Sequence, residues 1–306
     1  FTIQSNSTFV APTSTLDIAG DYTNNGTFTA NSGEVVFSGT SSQTLSGNLT
    51  GSSAFSNLTI TNQSGAGSTS QSIIFSAAAS STRTFTMNAS SSAQFAAGET
   101  YTFQNIDWPG STASPIYLLS SANGTQWQLD VPGTQETVFG VDVQDSDASL
   151  TSGGITVTDG TDSGNNSNWT FESSFSATVS GTLTDSSGTA LTGETVAVAY
   201  GPLTPRVSTT TTNNSGVYST TISGLTLGTE VLAYVDNNAS VRGATFTTVA
   251  SSSGDITNLD ITEDTLTLDQ QGTSTLVFSD LTFYDNSNDA DVQHTTNNNT
   301  NELSVG

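Results

Sequence analysis

Cysteine and lysine are both missing from this 306-residue chain, and positive charge is confined to Arg83, Arg206 and Arg242. Without thiols there is no disulfide staple, no thiolate metal ligand and no cysteine nucleophile, and the redox compartment stays open. Without lysine there is no Schiff-base chemistry, no P-loop phosphate grip and no lysine–asparagine isopeptide crosslink. Against the three bases stand 27 acids, giving a formal net charge of -24. Such a surface repels phosphate backbones, so nucleic acid is excluded as a partner, and anionic membrane surfaces are disfavoured for the same reason. No apolar run approaches the roughly 20 residues that span a bilayer, so no membrane insertion is expected. The start, Phe1-Thr2-Ile3-Gln4, has no basic segment followed by an apolar one, as though a leader had been removed or the residues were cut from something longer. With 33% apolar residues the chain is also too polar for a thick core of helix layers.

Ser and Thr, about a third of the positions, and 28 Gly dominate instead, which favours strands and turns. Apolar residues alternate with Thr, Ser or Gln in short runs: Leu16-Asp17-Ile18, Val35-Val36-Phe37, Leu58-Thr59-Ile60, Phe85-Thr86-Met87, Tyr101-Thr102-Phe103, Trp127 to Val131 and Ile155-Thr156-Val157. The period is two, the signature of half-buried strands. No amphipathic helix is visible. Turn clusters such as Asn24-Asn25-Gly26 and Asn31-Ser32-Gly33 separate the runs in residues 1–172. Recurring runs predict stacked coils, a parallel β-helix in which one side chain in two points inward. Stacked β-sandwiches are the alternative, because the repeat is not strict.

From about residue 173 the strands lengthen and hairpins become clearer: Val179 to Leu183, Thr195 to Tyr200, Val207 to Thr212, Val217 to Ile222, Glu230 to Val235 and Ala244 to Val249. Their spacing predicts a small Greek-key β-sandwich over 173–250. Residues 251–306 alternate again, in Leu259-Asp260-Ile261, Leu266-Thr267-Leu268, Leu276-Val277-Phe278 and Leu281-Thr282-Phe283, and predict a third, β-rich segment. That segment holds 10 acids and no base, against 5 acids in residues 1–129. Negative charge is thus concentrated toward one end.

Two resemblances follow. Residues 177–249 resemble a carboxypeptidase-regulatory-like module, a transthyretin-type sandwich, through Val179-Ser180-Gly181-Thr182-Leu183-Thr184-Asp185, the turn Ser186-Ser187-Gly188, and Thr212 to Tyr218; the family usually has Asp where this chain has Asn213. That resemblance implies a spacer or binding module with no catalytic residue. Residues 1–172 are similar to the adhesin-like parallel β-helix regions of large bacterial cell-surface proteins, notably through Gly20 to Phe28 and Asp162 to Trp169. The implied setting is extracellular or cell-surface.

Two acidic clusters are candidate metal sites: Asp142, Asp145 and Asp147, and Asp285, Asp289 and Asp291. Hard carboxylate oxygens on tight loops suit Ca²⁺, the one cofactor the sequence suggests, although neither cluster has EF-hand spacing. Solvated acids that cap turns are the plainer reading. Asp142 and Asp145 could also stand as a glycosidase pair. A lyase would need bases where residues 1–172 supply only Arg83, and catalysis is not expected. His294, the single histidine, has no nucleophile elbow near it and reads as a surface or strand residue. Trp108, Trp127, Trp169, Tyr101 and Tyr117 could form a sugar-stacking face, making glycans a candidate partner, but alternating aromatics more often build a core.

The termini carry a further pattern. Written tail to head, Leu303-Ser304-Val305-Gly306-Phe1-Thr2-Ile3 keeps a period of two without a break. Both ends read as interrupted strands, making Phe1, Ile3, Leu303 and Val305 candidate subunit-contact residues. Uncapped strand edges attract their like, and head-to-tail contacts that do not close build fibres. The expected function is therefore structural: a subunit or tandem segment of an extracellular filament, stalk or surface layer, self-assembling head to tail. An adhesin or carbohydrate-binding module is the alternative.

Overall fold

Alternation in the first half of the chain becomes short strands that pair in parallel with the turns of chain before and after them. The computed structural model describes all residues except 66–69, 202–204, 239, 253, 270, 272–275, 298–299, 301 and 306. The protein is all-β and divides into two compact units, Phe1–Ser173 and Ser174–Gly306.

In the first unit, one sheet stacks eight strands: Thr2–Ile3, Tyr22–Asn24, Gln43–Gly47, Ile73–Phe75, Ser92–Phe95, Ile116–Ser120, Val141–Val143 and Thr161–Asp162. Their order in space is their order in sequence. A second sheet runs in the same order from Thr15–Ile18 through Glu34–Phe37, Asn57–Ile60, Ser80–Met87, Thr100–Pro109, Gln135–Phe139 and Ile155–Thr158 to Trp169–Glu172. A third face pairs Thr8–Val10 with Thr27–Thr29, Thr100 with Gln128, and Trp127 with Ser146. Every pairing described in this unit is parallel, whereas stacked sandwiches would bring antiparallel neighbours. The chain therefore turns through three faces and then stacks on itself.

The corners are written in the parity of the sequence. Along Thr100–Pro109, Tyr101 and Phe103 point inward, Gln104 is exposed, and Ile106 and Trp108 point inward again. This one-residue break in alternation lets a single strand serve two faces. Its start pairs with Trp127–Asp130 and its end with Gln135–Phe139. The Asn-rich turns close other corners. Asn24 Nδ2 donates to Asn48 O at 2.8 Å and Asn24 Oδ1 accepts from Gly26 N at 3.1 Å, so one fully buried amide serves two coils. Gly47 holds φ at 85°, and a Cβ there would lie 2.2 Å from Asn24 O. The close coil-to-coil approach requires glycine at that point.

Inward residues form one continuous column. Tyr22, Phe28, Phe37, Phe55, Phe75, Phe85, Phe95, Tyr101, Trp108 and Trp127 are all fully buried or nearly so. Phe95 is stacked between Phe75, with ring centroids 5.2 Å apart, and Trp127, at 4.0 Å. Tyr22 OH and Trp108 Nε1 have no hydrogen-bond partner among the described residues, whereas the amide of Gln43 is fully engaged. Gln43 Nε2 donates to Ile18 O at 2.9 Å and Gly20 O at 2.7 Å, while its Oε1 accepts from Asn62 Nδ2 at 3.0 Å.

The second unit is built from hairpins. Phe175–Thr184 lies between Val217–Leu225 and Ile261–Thr262, forming a three-stranded sheet. A five-stranded sheet runs Arg206–Thr211, Thr195–Tyr200, Glu230–Val235, Ala244–Thr248, Leu266–Leu268. Between the sheets pack Val179, Leu183, Val196, Val198, Tyr218, Ile222, Val231 and Leu259. The five-stranded sheet is buried on its other face too, where Ala197, Ala199, Leu232, Tyr234 and Phe246 meet Leu281, Tyr284 and Val292. Residues expected to form a separate segment from 251 thus contribute strands to both sheets and cover one of them. The runs Leu276-Val277-Phe278 and Leu281-Thr282-Phe283 do not make strands. Phe278–Phe283 is a 3₁₀ helix, whose three-residue turn brings Leu281 and the following Tyr284 to the same side, against the sheet beneath.

All three tryptophans lie in the first unit, so their fluorescence reports on it alone. Phe95→Ala should destabilise that unit by about 3–5 kcal/mol, the usual cost of truncating a buried aromatic. Denaturant titration followed by tryptophan emission checks this. A loss below about 1 kcal/mol would mean that the column is not continuous at this point.

Candidate functional site

The structure separates the first acidic cluster. Asp142 lies on the outer side of the strand Val141–Val143, while Asp145 is buried at the following corner with φ of 54°. Asp145 is engaged by protein donors: Gly124 N at 3.0 Å from Oδ2 and Asn165 Nδ2 at 2.7 Å from Oδ1. Asp147 accepts from Ser149 N at 2.9 Å, a turn-capping bond. Asp145 thus ties together successive corners, and its carboxyl does not converge with that of Asp142 on a common open face.

The second cluster is only partly assembled. Asp285 takes four donors, from Ser287 N at 2.9 Å, Ser287 Oγ at 2.5 Å, Thr296 N at 3.0 Å and Thr296 Oγ1 at 2.7 Å. Burial by itself would raise its pKa, but these donors outweigh burial and hold the carboxyl below its ordinary value. It pins the loop before Thr296. Asp289 and Asp291 instead converge with Asp236, which the sequence reading missed; one carboxylate oxygen from each lies within 4.8 Å of the others. Asp236 follows the strand Glu230–Val235, while Asp289 and Asp291 belong to the loop after Tyr284. Tyr234 OH donates to Asp289 Oδ2 at 2.7 Å and Asn237 N to Asp291 Oδ2 at 2.8 Å. The pKa of Asp236 is raised, first by burial and then by the charges of Asp289 and Asp291. Three half-buried carboxylates of like sign form, among the described residues, the one group able to offer a cation three oxygen ligands.

His294 is fully buried, in the strand His294–Asn297, and not on the surface. Its Nε2 is 3.3 Å from Leu281 O, and its Nδ1 has no hydrogen-bond partner among the described residues. Burial lowers its pKa, outweighing the opposite influence of the Leu281 carbonyl and of the Asp285 charge. It is a neutral packing residue beneath the 3₁₀ helix.

The aromatics expected as core or sugar platform divide unequally. Trp108, Trp127 and Tyr101 are fully buried in the column and so cannot present a face to a ligand. Trp169 and Tyr117 remain half-buried. At the chain ends, Ile3 is buried, and Phe1, 41% exposed, stacks on Tyr22 at 5.7 Å. Leu303 and Val305 are exposed in the strand Glu302–Val305, which pairs antiparallel with His294–Asn297. Gly306, the tail end of the expected seam, lies outside the described residues.

Compared with family models, curated proteins and solved structures, the chain matches none.

The histidine sets an acid limit on the second unit. Its folded pKa lies below the ordinary 6.5, so on acidification the unfolded chain takes up the proton first. Its contribution to stability is fully present above about pH 6.5 and falls as the pH drops below that value. Thermal melts of the second unit at pH 7.5, 6.5 and 5.5 should show a declining Tm, and His294→Leu should flatten that slope. An equal slope in the variant would assign the acid sensitivity to other groups.

Proposed function

We propose that this chain is a structural unit of an extracellular filament, stalk or surface layer, joined to its neighbours head to tail by β-strand contacts. The observation carrying this reading is the open edge of the first coil. Thr2–Ile3, Thr8–Val10 and Thr15–Ile18 each have a strand on one side and none on the other among the described residues. Beside that edge, Phe1 is 41% and Val10 57% exposed. Unpaired N–H and C=O groups next to apolar side chains form a template for another strand. The joint is the same whether the added strand comes from a separate copy or from a further stretch of one long polypeptide. The strand Glu302–Val305, with Leu303 and Val305 outward, is the proposed donor. The parallel β-helix reading of the first unit and the transthyretin-like reading of the second fit a rod-and-spacer role, with no catalytic centre required.

The purified chain should associate with rising concentration and appear as linear particles in negative stain. Thr8→Pro combined with Val10→Glu, which removes one edge donor and adds a like charge, should leave a monomer with unchanged far-ultraviolet circular dichroism. A wild-type chain that remains monomeric at millimolar concentration contradicts the proposal.

Cation binding at Asp236, Asp289 and Asp291 would serve the same role by relieving repulsion in the acidic unit. At a Kd near 10⁻⁴ M, millimolar Ca²⁺ would add about 1.4 kcal/mol. The Tm of the second unit should rise with Ca²⁺ and fall back on chelation, and Asp289→Asn with Asp291→Asn should abolish that response. A Tm indifferent to Ca²⁺ in the wild-type protein removes the cation from the reading.

A further inference from the structure

A groove of about 370 Å³ opens on the outside of the first unit, lined among others by Ser111, Thr112, Tyr117, Asp142, Asp159 and Thr161. Its floor follows from the coil register. Tyr117 pairs with Asp142 and Asp142 with Thr161, so these three outward side chains form one row across three successive coils. Its wall is the corner segment 110–115, folded back on itself by Ser111 N donating to Ser114 O at 3.2 Å and Ser114 N to Ser111 O at 3.1 Å. Gly140 lets the wall sit this close: it holds φ at 58°, and a Cβ there would lie 2.4 Å from Ser111 N. The wall of the groove is therefore set by the backbone, and its floor by side chains in coil register.

Its chemistry is selective. Asp142 Oδ1 accepts from Ser163 Oγ at 2.5 Å, and among the described residues its Oδ2 accepts from no donor. Burial raises the pKa of Asp142, reinforced by the Asp162 charge and opposed by the Ser163 bond. Ser111, Thr112, Thr161 and Ser173 line the same groove as the two acids, and the Tyr117 ring supplies an apolar face. An anionic ligand would meet like charge, with Arg83 the single base of this unit. A ligand rich in hydroxyl donors with one apolar ring face would find acceptors, donors and a stacking surface together. The volume lies at the small end of the range for ligand pockets, about 300–1,000 Å³.

We infer that this groove is a binding subsite for a neutral pyranose unit of a glycan, with its ring against Tyr117 and its hydroxyls on Asp142 and Asp159. The inference stands independently of head-to-tail assembly, since the groove lies away from the first-coil edge. Cellohexaose, mannohexaose and xylohexaose, with hexagalacturonate as the anionic control, can each be titrated into the full chain by calorimetry. At least one neutral oligosaccharide should bind and hexagalacturonate should not. Tyr117→Ala and Asp142→Asn should each weaken binding tenfold or more, Tyr117→Phe should retain it, and all three should melt as the wild-type protein does. In the unsubstituted protein, the backbone amides of Tyr117 and Thr161 should shift in NMR spectra during the same titration, a readout that needs no variant. Failure of all three neutral oligosaccharides to bind overturns the inference. So does binding that leaves those amides unmoved, or that Tyr117→Ala and Asp142→Asn leave at full strength.

Discussion

Everything in the first unit depends on each coil being covered by the next. A chain with 33% apolar residues cannot surround a core with apolar layers, but it can line a column if every strand gives one side chain in two to the interior. Parallel stacking provides that geometry while satisfying the backbone of each strand on both edges. The aromatic contacts Phe75–Phe95 and Phe95–Trp127 are the side-chain counterpart of the same repeat. The corners then have to be polar, and the buried amides of Asn24, Gln43 and Asn62 donate to backbone carbonyls of the turns, Asn48 O, Gly20 O and Ser41 O. The same principle leaves an open template wherever the stack has no next coil.

Strand positions were legible because the period of two is a local property. Leu16 to Ile18, Leu58 to Ile60 and Ile155 to Val157 all lie in strands, with Ile18, Leu58, Ile60, Ile155 and Val157 buried and Leu16 partly buried against the same core. In the second unit the runs Thr195 to Tyr200 and Glu230 to Val235 match their strands end to end. What alternation cannot carry is context. Leu281-Thr282-Phe283 alternates as a strand would, yet it covers a sheet already complete and lies in a 3₁₀ turn. Residues 251–268 read as the start of a new segment because their partners, Leu183 and Ala244 to Phe246, are distant in sequence.

The acidic residues show the same limit. Asp285, Asp289 and Asp291 are neighbours in sequence, but the tight loop turns Asp285 toward Ser287 and Thr296 and the other two toward Asp236. The signal for Asp236 was present as an acid ending a strand before Asn237-Asn238, but nothing local joins it to a loop some fifty residues later. Asp142 and Asp145 part for a simpler reason: one is on a strand facing out, the other at a corner facing in. Side chains with donors close in sequence are taken up by their own turns, and those left over are placed by the tertiary fold.

Coil stacking is open to a direct chemical measurement because the chain has no native cysteine. Val36 pairs with Thr59, and Thr59 with Thr86, on the outer side of three successive coils. Parallel neighbours about 4.8 Å apart fall within the Cα separation that a disulfide bridges. Val36→Cys with Thr59→Cys, and Thr59→Cys with Thr86→Cys, should each oxidise to an intramolecular disulfide visible as a two-dalton mass loss, while Val36→Cys with Thr86→Cys, two coils apart, should stay reduced. Crosslinking of the Val36–Thr86 pair in place of the adjacent pairs would contradict the stacked register and everything drawn from it.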